Sequence, residues 1–330
     1  MNMNQQISPP KIILDTDPGG DDAFALLWLI SLVKQGLAEL LAVTSVEGNV
    51  NAKLTFTNAC KLLQLTDFPQ IEVGRGIIKT QKEIADAAHI HGNDGLGNLA
   101  QTLPSPQKSY EKARYSDEIL IENLTKFPGE ITIIALAPLT NLAAAETKFP
   151  GILKQAKEII IMGGAFNVAG NVTPEAEFNI AYSPSAAEIV FNSSNNLIIL
   201  PLDVTRSLIF LPEMAENIAE VNPESPISQL ILALAKAMTQ TSLSYRETQG
   251  ISGFLVHDAV TLAYLFYPET LQFQRGRVEV EVFGKWTKGK TICDRRHRAK
   301  IAANAWVALN VDSGNLLAAF VEDLKTLVEY

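Results

Sequence analysis

The stretch KIILDTDPGGDDAFALL, Lys11 to Leu27, runs from an apolar segment through a tight turn into a helical pattern. Lys11 to Leu14 lead into Asp15, Thr16, Asp17, Pro18, Gly19, Gly20, Asp21 and Asp22, and apolar helical spacing begins at Ala23. This predicts a buried strand, a turn and a helix start, the first unit of an α/β sheet. Four carboxylates therefore crowd the carboxyl end of a strand, where open α/β sheets place their ligands. Like charges at that density repel unless a cation, a helix N-terminus or a proton offsets them. A hard, oxygen-seeking divalent ion answers that need. The plainer alternative is that Asp21 and Asp22 cap the helix, which accounts for part of the cluster only.

Outward from that unit the chain alternates strands and helices. A helix is expected over Ala23–Gln35 with Gly36 as its C-cap, a strand over Leu40–Val46, a helix over Asn51–Leu65 and a short strand at Ile71–Val73. Ser116–Phe127 reads as a helix with Ser116 as N-cap. Strands follow at Ile131–Leu136, Glu158–Met162 and Leu197–Leu200, the last delivering Asp203, with a helix over Ser185–Phe191. Later come helices over Ile227–Glu247 and Val256–Phe266, a strand at Arg277–Phe283 returning through Gly284–Gly289, a strand at Ala305–Val311 and a closing helix at Asn315–Leu327. Two polar, glycine-bearing stretches, Ala88–Asn98 and Ala165–Ile180, read as long loops of the kind that rim a site. The alternation predicts an α/β fold: a single domain over residues 1–330 with a Rossmann-like, mainly parallel sheet covered by helices on both faces, and an active site at the strands' C-terminal ends. The polar clusters at Asp15–Asp22, Glu47–Asn49, residues 136–141, the Gly163 loop and His257-Asp258 would then share one edge.

The chain has 330 residues, 47% of them hydrophobic and 19% charged, with a formal net charge of −9. That describes a globular chain with an ample core and argues against a nucleic-acid ligand. Cys60 and Cys293 lack metal-ligand spacing and read as buried thiols. The opening MNMNQQISPP is polar and expected to be flexible; with no signal peptide and no long apolar run visible, a cytoplasmic protein without a membrane span is expected.

Seven blocks resemble the inosine–uridine-type nucleoside hydrolases: DTDPGGDDA at Asp15–Ala23, EGN at Glu47–Asn49, HGNDGLG at His91–Gly97, APLTNLA at Ala137–Ala143, MGGA at Met162–Ala165, GNVTPEAEFN at Gly170–Asn179 and VHDA at Val256–Ala259. The resemblance extends from Lys11 to the ALNVD ending at Asp312. It implies Ca²⁺-dependent hydrolysis of the N-glycosidic bond of ribonucleosides, releasing ribose and free base. By the family pattern Asp17, Asp22 and Asp258 are the calcium carboxylates and the main-chain carbonyl of Leu136 a further ligand, a donor set that suits Ca²⁺. Asp17 would also be the general base for a water whose pKa the ion lowers. Asp21, Asn49, Glu177 and Asn179 match ribose-holding positions, with Asn171 and Met162 nearby. They would also face the positive charge that develops on the sugar ring. His257 is the position that helps the departing base accept a proton, and it leans the chain away from members that rely on aromatic stacking. His91 lines the base side, whereas His89 and His297 read as surface residues. Tyr245 and Gln249, one turn apart on the expected helix, would share a face and meet the base. Gly20 stands where many members carry a larger apolar residue, and Asp94 lies in a segment that varies with base preference. The resemblance also implies a homodimer or homotetramer, and a small-molecule ribonucleoside as substrate.

Two other classes compete. An Asp15/Asp17 pair at a strand end suits an Mg²⁺-dependent phosphohydrolase, but later strand ends offer Asn, Glu and His-Asp in place of a phosphate cradle. A non-catalytic nucleoside- or sugar-binding protein would need no general base. No G-x-G-x-x-G follows the first strand, so dinucleotide binding is unsupported. A metal-activated water would also make a covalent glycosyl intermediate unnecessary.

Overall fold

The computed structural model describes residues 8–77, 84–296 and 299–329. The expected flexibility of the first ten residues falls mostly on residues 1–7, outside the described residues, as does His297. In chain order the elements are β1 (Lys11–Thr16), α1 (Gly20–Lys34), β2 (Glu39–Ser45), α2 (Ala52–Leu65), β3 (Glu72–Gly74), α3 (Ala88–His91), α4 (Ser116–Lys126), β4 (Ile131–Ala135), α5 (Thr140–Lys148) and β5 (Glu158–Met162). There follow α6 (Phe178–Tyr182), α7 (Pro184–Ser193), β6 (Leu197–Leu200), α8 (Leu202–Thr205), β7 (Ile209–Phe210), α9 (Pro212–Ala219), α10 (Pro226–Tyr245) and β8 (Phe254–Leu255). The last are α11 (Ala259–Phe266), β9 (Leu271–Val280), β10 (Thr291–Asp294), β11 (Ala305–Val311) and α12 (Ser313–Glu329).

One nine-stranded sheet runs in the order β10-β9-β11-β6-β5-β4-β1-β2-β3. Every neighbouring pair from β3 across to β11 is parallel; β9 runs antiparallel to both of its neighbours, β11 and β10. Strand order reverses between β1 and β4, which opens a crevice beyond their carboxyl ends. The central strands are buried on both faces, and their alternation sorts side chains into two cores. Ile12, Leu14, Ile134, Ile160 and Ile198 join the core under α1, α2, α10 and α12, while Ile13, Ile133, Ile159 and Ile199 join the one under α4, α5 and α7. The expected single-domain, mainly parallel α/β architecture is thus what the chain adopts.

Helix α1 is buried from Gly20 through Leu32 because the sheet lies on one side of it and α11 and α12 on the other. Within it Trp28 donates from Nε1 to the Asp323 carboxylate of α12 at 2.7 Å, and Tyr267 donates its hydroxyl to the same oxygen at 2.5 Å. Asp323→Ala leaves both donors unpaired in a largely dry site. It is expected to cost about 2–3 kcal/mol of stability, measured by urea unfolding; a change within about 0.5 kcal/mol would show the network to be dispensable.

Four local expectations are corrected. Ser116 is the first residue of α4, and the N-cap is Tyr115; the Ser116 hydroxyl donates instead to the Ser45 carbonyl at 3.0 Å. The helix expected from Val256 begins at Ala259, because Phe254 and Leu255 pair with β7 first. Helix α10 ends at Tyr245, where Arg246 turns left-handed at φ 58°, and Gln249 at φ 54° lies in the following loop. Gln249 therefore does not share a helix face with Tyr245. Cys60 is buried as expected, but Cys293 is only half-buried.

Candidate active site

The turn after β1 supplies the centre. Gly19 donates its N–H to Asp22 Oδ2 at 3.0 Å, so Asp22 does cap α1. The same carboxylate accepts from Thr16 Oγ1 at 2.6 Å and Asn49 Nδ2 at 2.9 Å. Asp21, Asp22 and Asp258 each bring an oxygen within 4.8 Å of the others, and all three are buried. Asp258 comes from the start of α11, far along the chain. Asp17 lies beside them, its Oδ2 accepting from the Asn49 N–H at 2.6 Å.

Burial pushes Asp17, Asp21 and Asp258 well above the usual carboxylate value of 3.8, and the charges of their acidic neighbours push the same way. Among the described residues, no lysine or arginine forms an ion pair with any of them. Buried, convergent, all-oxygen and uncompensated, this donor set fits a hard divalent cation.

Gly48 is what lets Asp17 sit there. A Cβ at residue 48 would lie 2.1 Å from Asp17 Oδ2 and 3.0 Å from the Pro138 ring. Gly48→Ala must displace the carboxylate, and a loss of catalytic activity of about a hundredfold or more is expected. Steady-state rates check it; wild-type rates with folding intact would mean Asp17 can move without cost.

Asp15 is different. It is fully buried, held by Thr44 Oγ1 at 2.6 Å and Asn141 Nδ2 at 2.8 Å, with Oδ2 lacking a hydrogen-bond partner among the described residues. Burial raises its pKa to about 7. It ties β1 to β2 and α5, and a nucleophile's role beside Asp17 has no geometric support. Asn141, which also donates to the Ser45 carbonyl at 2.8 Å, is a fastener that the sequence reading missed.

The second long loop contains helix α6, whose N-cap is Glu177. The Glu177 carboxylate accepts from the N–H groups of Gly164 at 2.9 Å, Asn179 at 2.7 Å and Ile180 at 3.2 Å. Asn179 Nδ2 donates to the Leu136 carbonyl at 2.7 Å and the Met162 carbonyl at 3.2 Å, joining the ends of β4 and β5. Asn171 is exposed and spends its side-chain oxygen on the Phe178 N–H.

His91, on the one-turn α3, accepts the Gly20 N–H at Nδ1 over 2.9 Å, so its remaining ring proton is on Nε2. Burial lowers its pKa to about 3 and the nearby His257 adds to the effect. His257 is half-buried, its pKa lowered to about 4 by burial and then by Arg206. Tyr245 is exposed and meets the ring of His89, also exposed, edge-on at 5.3 Å. The space a side chain at Gly20 would need is filled by the Met238 thioether of α10, 2.4 Å from where its Cβ would stand. Asp94 is a loop organiser, accepting from the N–H groups of Leu96, Asn98 and Ala100 at 2.8 Å each.

The structure thus brings Asp17, Asp21, Asp22, Asn49, Leu136, Met162, Glu177, Asn179 and Asp258 to one strand-end crevice, with His91 and His257 beside it. Asn171 and Tyr245 stand further out.

Comparisons with known proteins place the whole chain beside one group of enzymes. The family model described as inosine-uridine preferring nucleoside hydrolase matches residues 12–318. The probable uridine nucleosidase 1 of Oryza sativa subsp. japonica is 34% identical over 98% of this chain and 99% of its own. The pyrimidine-specific ribonucleoside hydrolase RihB of Escherichia coli is 34% identical over 92% of this chain and 93% of its own. Among solved structures, a purine-preferring ribonucleoside hydrolase from Gardnerella vaginalis superposes with a TM-score of 0.87 at 26% identity, covering 97% of this chain and 99% of that one. A plant nucleoside hydrolase gives a TM-score of 0.83 at 31% identity, covering 96% and 99%.

Proposed function

Because the chain belongs to the inosine-uridine preferring nucleoside hydrolase family, we propose that it hydrolyses the N-glycosidic bond of ribonucleosides with inosine–uridine-type specificity and that Ca²⁺ is its metal. The observation that carries this reading is the convergence of the buried carboxylates of Asp21, Asp22 and Asp258, with Asp17 adjoining. Asp17, Asp22, Asp258 and the Leu136 carbonyl hold the ion in this reading. When bound, it offsets their charge and lowers the pKa of the attacking water.

Asp17 takes that water's proton as the general base. Asp21, Asn49, Glu177 and Asn179 hold the ribose, with Met162 and Asn171 at its edge. As the base departs the sugar ring becomes cationic, and the carboxylates of Asp21 and Glu177 stabilise that charge in a site largely closed to water. His257 helps the leaving base accept a proton, while His91 and Tyr245 line the base side. The reading also makes the protein a cytoplasmic enzyme of nucleoside salvage and a homodimer or homotetramer, which sedimentation would check. No helix among the described residues is long and apolar enough to cross a membrane.

Purified protein incubated separately with inosine, uridine, cytidine and adenosine is expected to release free ribose, with release lost in chelator and restored by Ca²⁺. Undiminished release in chelator would remove the metal from the reading. Absence of release from all four nucleosides in Ca²⁺ would overturn the specificity.

A further inference from the structure

Helix α8 is a single turn after β6, yet three of its polar groups and one adjoining it reach both sides of the site. Thr205 is fully buried, and its Oγ1 lies 2.7 Å from His257 Nδ1. The hydroxyl takes no other hydrogen-bond partner among the described residues. Asp203 accepts from the Phe166 N–H at 2.9 Å and from the Asn167 N–H and Nδ2 at 2.8 Å each. The Leu202 N–H donates to the Gly164 carbonyl at 2.9 Å, and Arg206 Nη2 donates to the Gly170 carbonyl at 2.9 Å. Gly164 is also the residue whose N–H grips Glu177.

We propose that α8 is a positioning element for catalysis: Thr205 orients the imidazole of His257 and keeps its proton on Nε2, while Asp203 and Arg206 pin the loop that carries the ribose-side residues. With the threonine proton donated to Nδ1, the ring carries its own proton on Nε2, where it hydrogen-bonds the departing base and offsets the charge building there while the base takes up its proton; the ring itself stays neutral. Asp203 and Arg206 act on Glu177 and Asn179 through the backbone of residues 164–170. The two ends of one helical turn thereby serve two different terms of the reaction, leaving-group protonation and sugar binding. This rests on the reading of His257 as the group that assists the departing base, so the test separates the two.

The test compares Ca²⁺-loaded wild type with the variants His257→Ala, Thr205→Val, Thr205→Ser and Asp203→Ala. Each is assayed on a natural nucleoside and on 4-nitrophenyl β-D-ribofuranoside, whose leaving group departs without a proton. His257→Ala is expected to slow the nucleoside strongly and to spare the nitrophenyl riboside; equal loss on both would overturn the role of His257 and the proposal with it. Thr205→Val, nearly isosteric, is expected to copy that pattern, lowering kcat on the nucleoside about tenfold or more with KM held, and Thr205→Ser to restore it. Asp203→Ala is expected to raise KM on both substrates by about fivefold or more. ¹⁵N spectra of the imidazoles, with the His257 signal assigned by its loss in His257→Ala, are expected to show Nε2 protonated in wild type. A Thr205→Val enzyme that matches wild type on the nucleoside, or loses rate equally on both substrates, would overturn the proposal. So would a His257 protonated on Nδ1.

Discussion

Asp17→Asn is expected to lower ribose release by about a thousandfold or more while nucleoside binding persists. The amide is isosteric with the carboxylate, and its oxygen can still accept the Asn49 N–H that Asp17 Oδ2 accepts at 2.6 Å. The turn between β1 and α1 therefore keeps its shape. What disappears is the capacity to take a proton in the transition state. Asn49 also donates from Nδ2 to the residue-17 carbonyl at 3.2 Å, a contact with the main chain that the substitution leaves alone. Single-turnover ribose release and calorimetric titration with a nucleoside, both at saturating Ca²⁺, separate chemistry from binding. Turnover close to wild type would show that another group is the base. Equal loss of binding and turnover would instead make Asp17 a structural support.

Asp258→Asn is expected to act in opposite directions with and without the metal. In chelator the buried carboxylates repel one another, and Asp258 is raised by burial and then by Asp21, Asp22 and Asp17. Removing one charge relieves that repulsion, so the metal-free variant should unfold at a higher temperature than metal-free wild type. In Ca²⁺ the order reverses, because wild type gains the ion's binding energy, about 2.7 kcal/mol at a hundred times Kd, and the variant forgoes most of it. The pH dependence has a definite sign. Groups whose pKa is higher folded than unfolded bind protons more tightly in the folded chain. Their stabilising contribution is complete below the ordinary value of 3.8 and is lost as pH rises through the raised values. Wild type in chelator should therefore lose stability from mildly acidic to neutral pH, and Ca²⁺ should flatten that slope. Differential scanning calorimetry with and without Ca²⁺ reads both effects. A variant that is less stable than wild type in chelator, yet gains as much from Ca²⁺, would show that Asp258 supports the fold and not the ion.

Much of this was legible in the chain. The run KIILDTDPGGDDAFALL specified strand, turn and helix through local rules of burial and capping, and the alternation of such units specified a parallel sheet. A parallel sheet puts its strands' carboxyl ends on one edge, so the acids after β1, the Asn after β2 and the Glu and Asn after β5 were bound to converge near the switch between β1 and β4. The partnerships within that edge were decided only by tertiary structure. Spacing alone placed Gln249 one turn beyond Tyr245, but α10 stops where Arg246 turns left-handed, and nothing in the apolar pattern marks that stop. Ser116 looked like a cap because capping residues precede helices, yet its hydroxyl is drawn to a carbonyl on β2. Asp15 belonged to the same acidic run as Asp17, and only the packing of Thr44 and Asn141 around it turned it into a buried fastener. Thr205 and His257 lie 52 residues apart and meet because the turns after β6 and β8 fold against each other. A sequence states which groups are available and which edge of the sheet they reach. Hydrogen-bond partners across that edge depend on distances of a few tenths of an ångström, set by how whole elements pack.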